Sequence, residues 1–144
     1  MKARIEWVGK TKFVGHSESG HQVTIDTLPK FGGSNEGASP MELLLLGVGA
    51  CSSVDVVNIL KKQRQQVSSC VAELNAERAD SVPKVFTSIH LHFIVRGDNL
   101  QPEKVSRAVE LSADKYCSAS IMLARGGVNL THDFEIIEDK IAQQ

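Results

Sequence analysis

The sequence lacks the cysteine pattern, the charge and the glycine motifs of several common protein classes. Three unevenly spaced cysteines in 144 residues cannot form the disulfide framework of a small secreted protein. Acidic and basic residues nearly balance, 17 against 16, which argues against nucleic acid or an anionic membrane surface as a partner. No glycine-rich phosphate loop and no nucleophile elbow is present. The length predicts a single domain over residues 1–144.

Signals for secretion or membrane insertion are also missing. Residues 1–4 lead into a strand-like segment and not into the apolar core of a signal peptide. The apolar run 41–50 is shorter than the about 20 residues of a membrane span, and Glu42 and Asp55 bracket it. We therefore expect a cytoplasmic protein that does not enter the membrane. In that compartment the cysteines stay reduced.

The hydrophobic periodicity predicts an α+β fold with the element order βββ-α-ββ-αα-β. Three short strands open the chain, and a loop rich in glycine follows them over residues 28–38. Two strands, a helix that begins at Pro102, a shorter helix and a closing strand complete the order. The predicted strands cover residues 3–8, 12–16, 21–26, 70–76, 86–95 and 128–137.

A long central helix is the clearest local prediction. Ser39 suits the N-cap, Pro40 the first helical position and Glu42 the third, which together form a capping box. The helix should run to about Arg64. Its first two thirds are apolar on nearly every side, and such a helix is buried on every side. One small sheet cannot cover that surface, so we predict a homodimer, since closed two-fold dimers are the commonest assembly.

Two cysteines stand at unusual places in this pattern. Cys51 lies in the buried helix between small residues, which leave room for a pocket around the thiol. Cys117 lies at a break between two helical segments, where the free amides of a new helix lower a thiol pKa. The alternative is that both are plain buried thiols, because free cysteine is among the most buried residue types. Cys70 opens a strand and is interpreted as structural.

Metal ligands are not suggested by spacing. The sequence has no Cys-x-x-Cys and no His-x-x-x-His pattern. His90 and His92 project from one face of a strand and are interpreted as part of a solvated or interface surface. We therefore expect no metal site and no cofactor.

Two segments resemble the OsmC/Ohr family, and within it the subgroup called YhfA-like. The first runs from Ser39-Pro40-Met41-Glu42-Leu43 to Gly49-Ala50-Cys51-Ser52, and the second from Ser112 through Tyr116-Cys117 to Leu123. The resemblance covers almost the whole length and includes the element order. It implies an OsmC/Ohr-like fold, with an intertwined homodimer whose sites lie at the interface.

The resemblance also implies a chemistry. Cys51 would be the peroxidatic thiol that reduces an organic hydroperoxide, and Cys117 would resolve the resulting sulfenic acid as a disulfide. An external dithiol of the lipoyl type would then reduce that disulfide. The apolar residues near Cys51 favour a small apolar hydroperoxide as substrate, in defence against oxidative stress.

The sequence departs from the family pattern at the groups that activate the thiol. Active members place an arginine and a glutamate beside it, but no arginine lies between Arg4 and Arg64, and Met41 stands where the glutamate is expected. Without a nearby cation, a buried Cys51 should have a raised pKa. The alternative function is a catalytically weak relative that binds an apolar ligand or senses redox state as a dimer.

Overall fold

The computed structural model describes residues 1–139, and its elements follow the predicted order. This confirms the α+β class. The described residues group into two compact units, one over residues 1–46 and one that begins at Gly47. The single domain over 1–144 stays a prediction, and its last five positions lie outside the described residues. The elements are β1 (Ala3–Gly9), β2 (Lys12–Ser17), β3 (Gln22–Ile25), α1 (Pro40–Lys62), β4 (Gln66–Arg78), β5 (Phe86–Asp98), α2 (Pro102–Leu111), α3 (Ser118–Arg125) and β6 (Asn129–Glu138).

The first unit contains the predicted three-stranded meander. β1, β2 and β3 pair in chain order, and both pairs are antiparallel. The register places Ile5, Gly15 and Val23 side by side on one face, to which Trp7 also belongs. Ile5, Trp7 and Val23 are 59%, 65% and 42% exposed. Contiguous exposed apolar surface of this kind is typical of an interaction surface.

A buried carboxylate organises the loop after β3. Asp26 accepts hydrogen bonds from the backbone amides of Thr27, Ser34 and Glu36 and from the hydroxyl of Thr11. Burial alone would raise the pKa of Asp26, but these bonds stabilise the charged form and lower it to about 2. The loop therefore has one defined path before α1 begins.

α1 begins with the predicted capping box. The Ser39 amide donates to Glu42 Oε2 at 2.7 Å, and the Glu42 amide donates to Ser39 Oγ at 3.4 Å. The helix ends at Lys62, two residues before the predicted end, and Arg64 takes a left-handed conformation with φ 58°.

Burial of α1 within one chain is confined to a single stripe. The buried residues recur at about every fourth position: Val48, Gly49, Ser52, Val56 and Leu60. Leu44, Leu46 and Val54 stay 50%, 61% and 59% exposed, so burial on every side is not reached within one chain. By length and hydropathy alone, the whole of α1 could cross a membrane. The apolar run 41–50 considered from the sequence is by itself too short for a membrane span. The core helix of a soluble protein meets the same criteria.

The second unit is a three-stranded sheet with helices against one face. β5 is central, antiparallel to β4 and parallel to β6, and α2 and α3 form the crossover that a parallel pair requires. Alternate residues of β5 are buried, and Ile89, Leu91, Phe93 and Val95 are at most 4% exposed. α1 approaches β4 so closely that a Cβ at Gly49 would lie 2.8 Å from Leu74 Cδ1. This contact explains one of the small residues beside Cys51.

Candidate functional site

The two cysteines singled out in the sequence meet in the second unit. Cys51 lies half-buried on α1, and Cys117 is fully buried at the N-cap of α3, directly after a π-helical turn over Ser112–Tyr116. The two Sγ atoms and a carboxylate oxygen of Asp55 all lie within 4.8 Å of one another. Asp55 follows Cys51 by four positions, so both side chains project from one face of α1.

Hydrogen-bond donors surround the sulfur of Cys117. Ser52 Oγ donates to Cys117 Sγ at 3.1 Å, and the amide of Ser120 donates to the same sulfur at 3.4 Å. The hydroxyls of Ser52 and Ser120 are 3.1 Å apart. Burial alone would raise the pKa of the Cys117 thiol, but these donors favour the thiolate and the pKa is lowered. The predicted effect of the α3 amides is therefore confirmed.

The backbone around Cys117 is held in place by a second set of contacts. Ser112 Oγ donates to the carbonyl oxygen of Ser52, and the Cys117 amide donates to the carbonyl oxygen of Ser112 at 2.8 Å. Ser112 is thus linked both to α1 and to Cys117. Because Ser52, Ser112 and Ser120 are all buried, this network fixes the sulfur relative to α1.

The surroundings of Cys51 raise the pKa of its thiol, in contrast to those of Cys117. Burial of Cys51 raises the pKa of the thiol, and the hydrogen bond from the Ala119 amide only partly opposes this effect. The nearby sulfur of Cys117 and the carboxylate of Asp55 raise the pKa of Cys51 further. The raised pKa predicted from burial is confirmed. Of the two thiols, Cys117 therefore ionises more readily than Cys51.

A mainly apolar cleft of about 120 Å³ reaches this network. Its wall contains Ser52, whose hydroxyl donates to the Cys117 sulfur, and Ser120, whose hydroxyl is hydrogen-bonded to that of Ser52. His132 lies on the same lining. Most of the remaining lining is apolar: Leu91, Phe93, Val109, Ala113, Ala124 and Leu130. The lining suits a small apolar molecule, and the volume is below the about 300–1,000 Å³ of a typical ligand pocket.

The other candidates of the sequence lie apart from this cluster. Cys70 is half-buried on β4, where burial raises the pKa of its thiol. His90 Nε2 and His92 Nδ1 both contact Asp133 Oδ1, at 3.2 and 2.6 Å. The histidines are 39% and 28% exposed, as expected of a solvated surface, and the hydrogen bond with Asp133 raises the pKa of His92.

Sequence reasoning missed Asp55 and the three serines. The spacing of Asp55 and Cys51 on one helix was a usable signal for the carboxylate. No local signal was available for the serines, because Ser52 and Cys117 are 65 positions apart. Within residues 1–139, Asp55 makes no salt bridge, so no arginine or lysine takes the place of the expected cation there.

Comparisons with known proteins agree with this geometry. Residues 33–133 match the family model described as OsmC-like protein. Protein YhfA of Escherichia coli is 48% identical over 138 residues, which cover 95% of this chain and 98% of YhfA. A hypothetical protein of Aquifex aeolicus is 30% identical with a TM-score of 0.83, covering 96% of this chain and 97% of that one. The organic hydroperoxide resistance protein OhrB of Bacillus subtilis is 19% identical with a TM-score of 0.61, covering 94% and 98%.

Proposed function

The chain belongs to the OsmC-like protein family, and on that premise we propose that it is a thiol-dependent peroxidase that reduces organic hydroperoxides. The observation that carries the proposal is the proximity of Cys51 Sγ and Cys117 Sγ, within 4.8 Å, beside hydrogen-bond donors that lower the pKa of Cys117. The fold is shared with OhrB of Bacillus subtilis, whose name states organic hydroperoxide resistance.

The reaction has three steps. A Cys51 thiolate attacks the distal oxygen of the hydroperoxide, the O–O bond breaks, and the alkoxide takes a proton and leaves as an alcohol. Cys51 is then a sulfenic acid. Cys117 attacks its sulfur, forms the disulfide and releases water. An external dithiol of the lipoyl type supplies two electrons, restores both thiols and becomes a disulfide itself.

The first step requires a proton to move within the pair. The Cys51 thiol holds its proton more tightly than the Cys117 thiol does, because burial, the Cys117 sulfur and Asp55 all disfavour a charge on Cys51. Transfer of that proton to Cys117 creates the Cys51 thiolate and leaves Cys117 as the thiol that the resolving step needs. Cys51 is the partly exposed member of the pair, which suits it to meet the substrate. The cost of this transfer slows the attack, since only the thiolate is nucleophilic.

The proposal includes a cytoplasmic homodimer with its sites at the interface. The exposed apolar residues of α1, among them Leu46 and Val54, support a second copy as the covering surface. Light scattering at micromolar concentration should give twice the chain mass. Val54→Glu, which adds a charge to that surface, should shift the mass toward one chain. Gln101→Glu, which adds the same charge at an exposed position outside α1, serves as the comparison.

A second candidate function rests on the raised pKa of Cys51 and the cleft beside Ser52. A thiol with a raised pKa, together with a small and mainly apolar cleft in the same unit, suits a dimer that binds a small apolar ligand or senses redox state. Copurified apolar ligand together with negligible turnover would favour this function over the peroxidase.

Stopped-flow consumption of cumene hydroperoxide with a lipoyl reductant tests the peroxidase. We expect a second-order rate above that of a free thiol, with loss of turnover in Cys51→Ser. Cys117→Ser should still form the sulfenic acid but not the disulfide. Cys70→Ser, outside the cluster, is the matched control and should keep full activity. A rate no better than a free thiol, or an unchanged rate in Cys51→Ser, refutes the proposal.

A further inference from the structure

We propose that Cys51, Asp55 and Cys117 together bind a thiophilic divalent cation, with Zn²⁺ as the natural candidate. The three ligand atoms already lie within 4.8 Å of one another. This inference is independent of peroxidase activity, because it concerns an equilibrium of the reduced protein. The sequence suggested no metal site, since the ligands come from two separate elements and match no spacing rule.

The donor set has the composition that zinc prefers. Thiolate and carboxylate are both common zinc ligands, and soft thiolates select zinc over Mg²⁺ or Ca²⁺. In tetrahedral coordination with Zn–S bonds near 2.3 Å, two sulfurs stand about 3.8 Å apart. The present limit of 4.8 Å therefore requires only a small approach of the side chains.

The backbone supports the same geometry. Cys51 and Asp55 are four positions apart on α1, the spacing with which one helix face presents two ligands to one ion. Cys117 adds the third ligand from the N-cap of α3. Three protein ligands leave the fourth position of a tetrahedral ion open to water or to a small anion.

The surroundings of Cys117 resemble those of a metal-bound thiolate. Ser52 Oγ and the Ser120 amide donate to its sulfur, and such outer contacts orient a ligand and hold it in place. Within residues 1–139, Asp55 has no salt bridge that would compete for its carboxylate. Binding displaces the proton of each ligand thiol that carries one, so it releases acid.

Titration of the reduced full-length protein with Co²⁺ under anaerobic conditions tests the site directly. We expect one ion per chain, a near-ultraviolet thiolate-to-cobalt charge-transfer band, and displacement of Co²⁺ by one equivalent of Zn²⁺. Cys51→Ser and Cys117→Ser should each weaken that band, and Asp55→Asn should lower the affinity about tenfold or more. Cys70→Ser is the control and should bind as the native chain does. Circular dichroism confirms that each variant is folded.

Two outcomes overturn the site. One is the absence of a charge-transfer band in a folded, reduced protein, and the other is a band that persists unchanged in Cys51→Ser. Peroxide turnover, measured separately on protein treated with a chelator, tells this failure apart from failure of the proposed function. A further expectation is that bound Zn²⁺ slows oxidation of the pair by cumene hydroperoxide, because both sulfurs are then engaged. Unchanged oxidation at saturating Zn²⁺ counts against binding through the sulfurs.

Discussion

The hydroxyl of Ser52 is one of the donors that lower the pKa of Cys117. It donates to Cys117 Sγ at 3.1 Å, and both residues are buried. Ser52→Ala removes this donor with little change in volume. We therefore expect the pKa of Cys117 to rise, and the thiolate to become less populated at neutral pH.

The expected size of the pKa change at Cys117 depends on the hydrogen bonds that its sulfur keeps in Ser52→Ala. A hydrogen bond to a charged group contributes about 1.5–3 kcal/mol. The Ser120 amide still donates to the sulfur at 3.4 Å, and the Ser120 hydroxyl, freed from Ser52, can turn toward it. The lower end of the range therefore applies. A loss of about 1.5 kcal/mol changes the thiolate-to-thiol ratio of Cys117 about tenfold.

Ultraviolet absorbance of the thiolate as a function of pH measures this ratio. The titration is done with Cys51→Ser and Cys70→Ser combined, so that Cys117 is the only thiol. Ser53→Ala, on the next position of α1, is the matched control, because Ser53 donates no hydrogen bond to Cys117 within the described residues. The reasoning is refuted if Ser52→Ala titrates like the control or toward lower pH.

Three further predictions concern other parts of the chain. Ser39→Ala removes one half of the capping box with Glu42 and should lower the free energy of unfolding by about 1 kcal/mol in urea denaturation; an unchanged midpoint speaks against the box. Asp26 has its pKa lowered to about 2, so its contribution to stability is complete above its ordinary value of 3.8 and disappears as pH falls toward 2. Acid titrations of native protein and Asp26→Asn should therefore converge in that window, and a constant gap would contradict this. Asp133→Asn should lower the pKa of His92 toward 6.5, measured by NMR, because Asp133 raises it; the stabilisation from His92 is present below pH 6.5 and disappears as pH rises through the raised value. An unmoved His92 titration would show that Asp133 is not the cause.

The thiol pair explains why the departures from the family pattern matter. The expected arginine would stabilise a thiolate at Cys51, but the structure places hydrogen-bond donors at Cys117. The sulfurs of Cys51 and Cys117 are therefore suited to share one proton. This arrangement favours both the resolving step of the proposed peroxidase and capture of a cation by two sulfurs and a carboxylate.

The order of the elements, and the positions of both cysteines on those elements, were determined by the sequence alone. These features depend on local physics: the capping box involves residues three positions apart, and periodicity reports which face of a helix or strand is apolar. The raised pKa of Cys51 and the lowered pKa of Cys117 also followed from local arguments, from burial in one case and from the free amides of α3 in the other.

Only the tertiary structure decided how these local features meet. The parallel pairing of β5 and β6 depends on how the two helices between them cross over, which no short pattern encodes. Ser52 reaches Cys117 across 65 positions, and Asp55 joins both sulfurs only because α3 begins beside α1. Contacts between residues so far apart in the chain result from packing of the whole unit, and this packing is what lowers the pKa of Cys117 and raises that of Cys51.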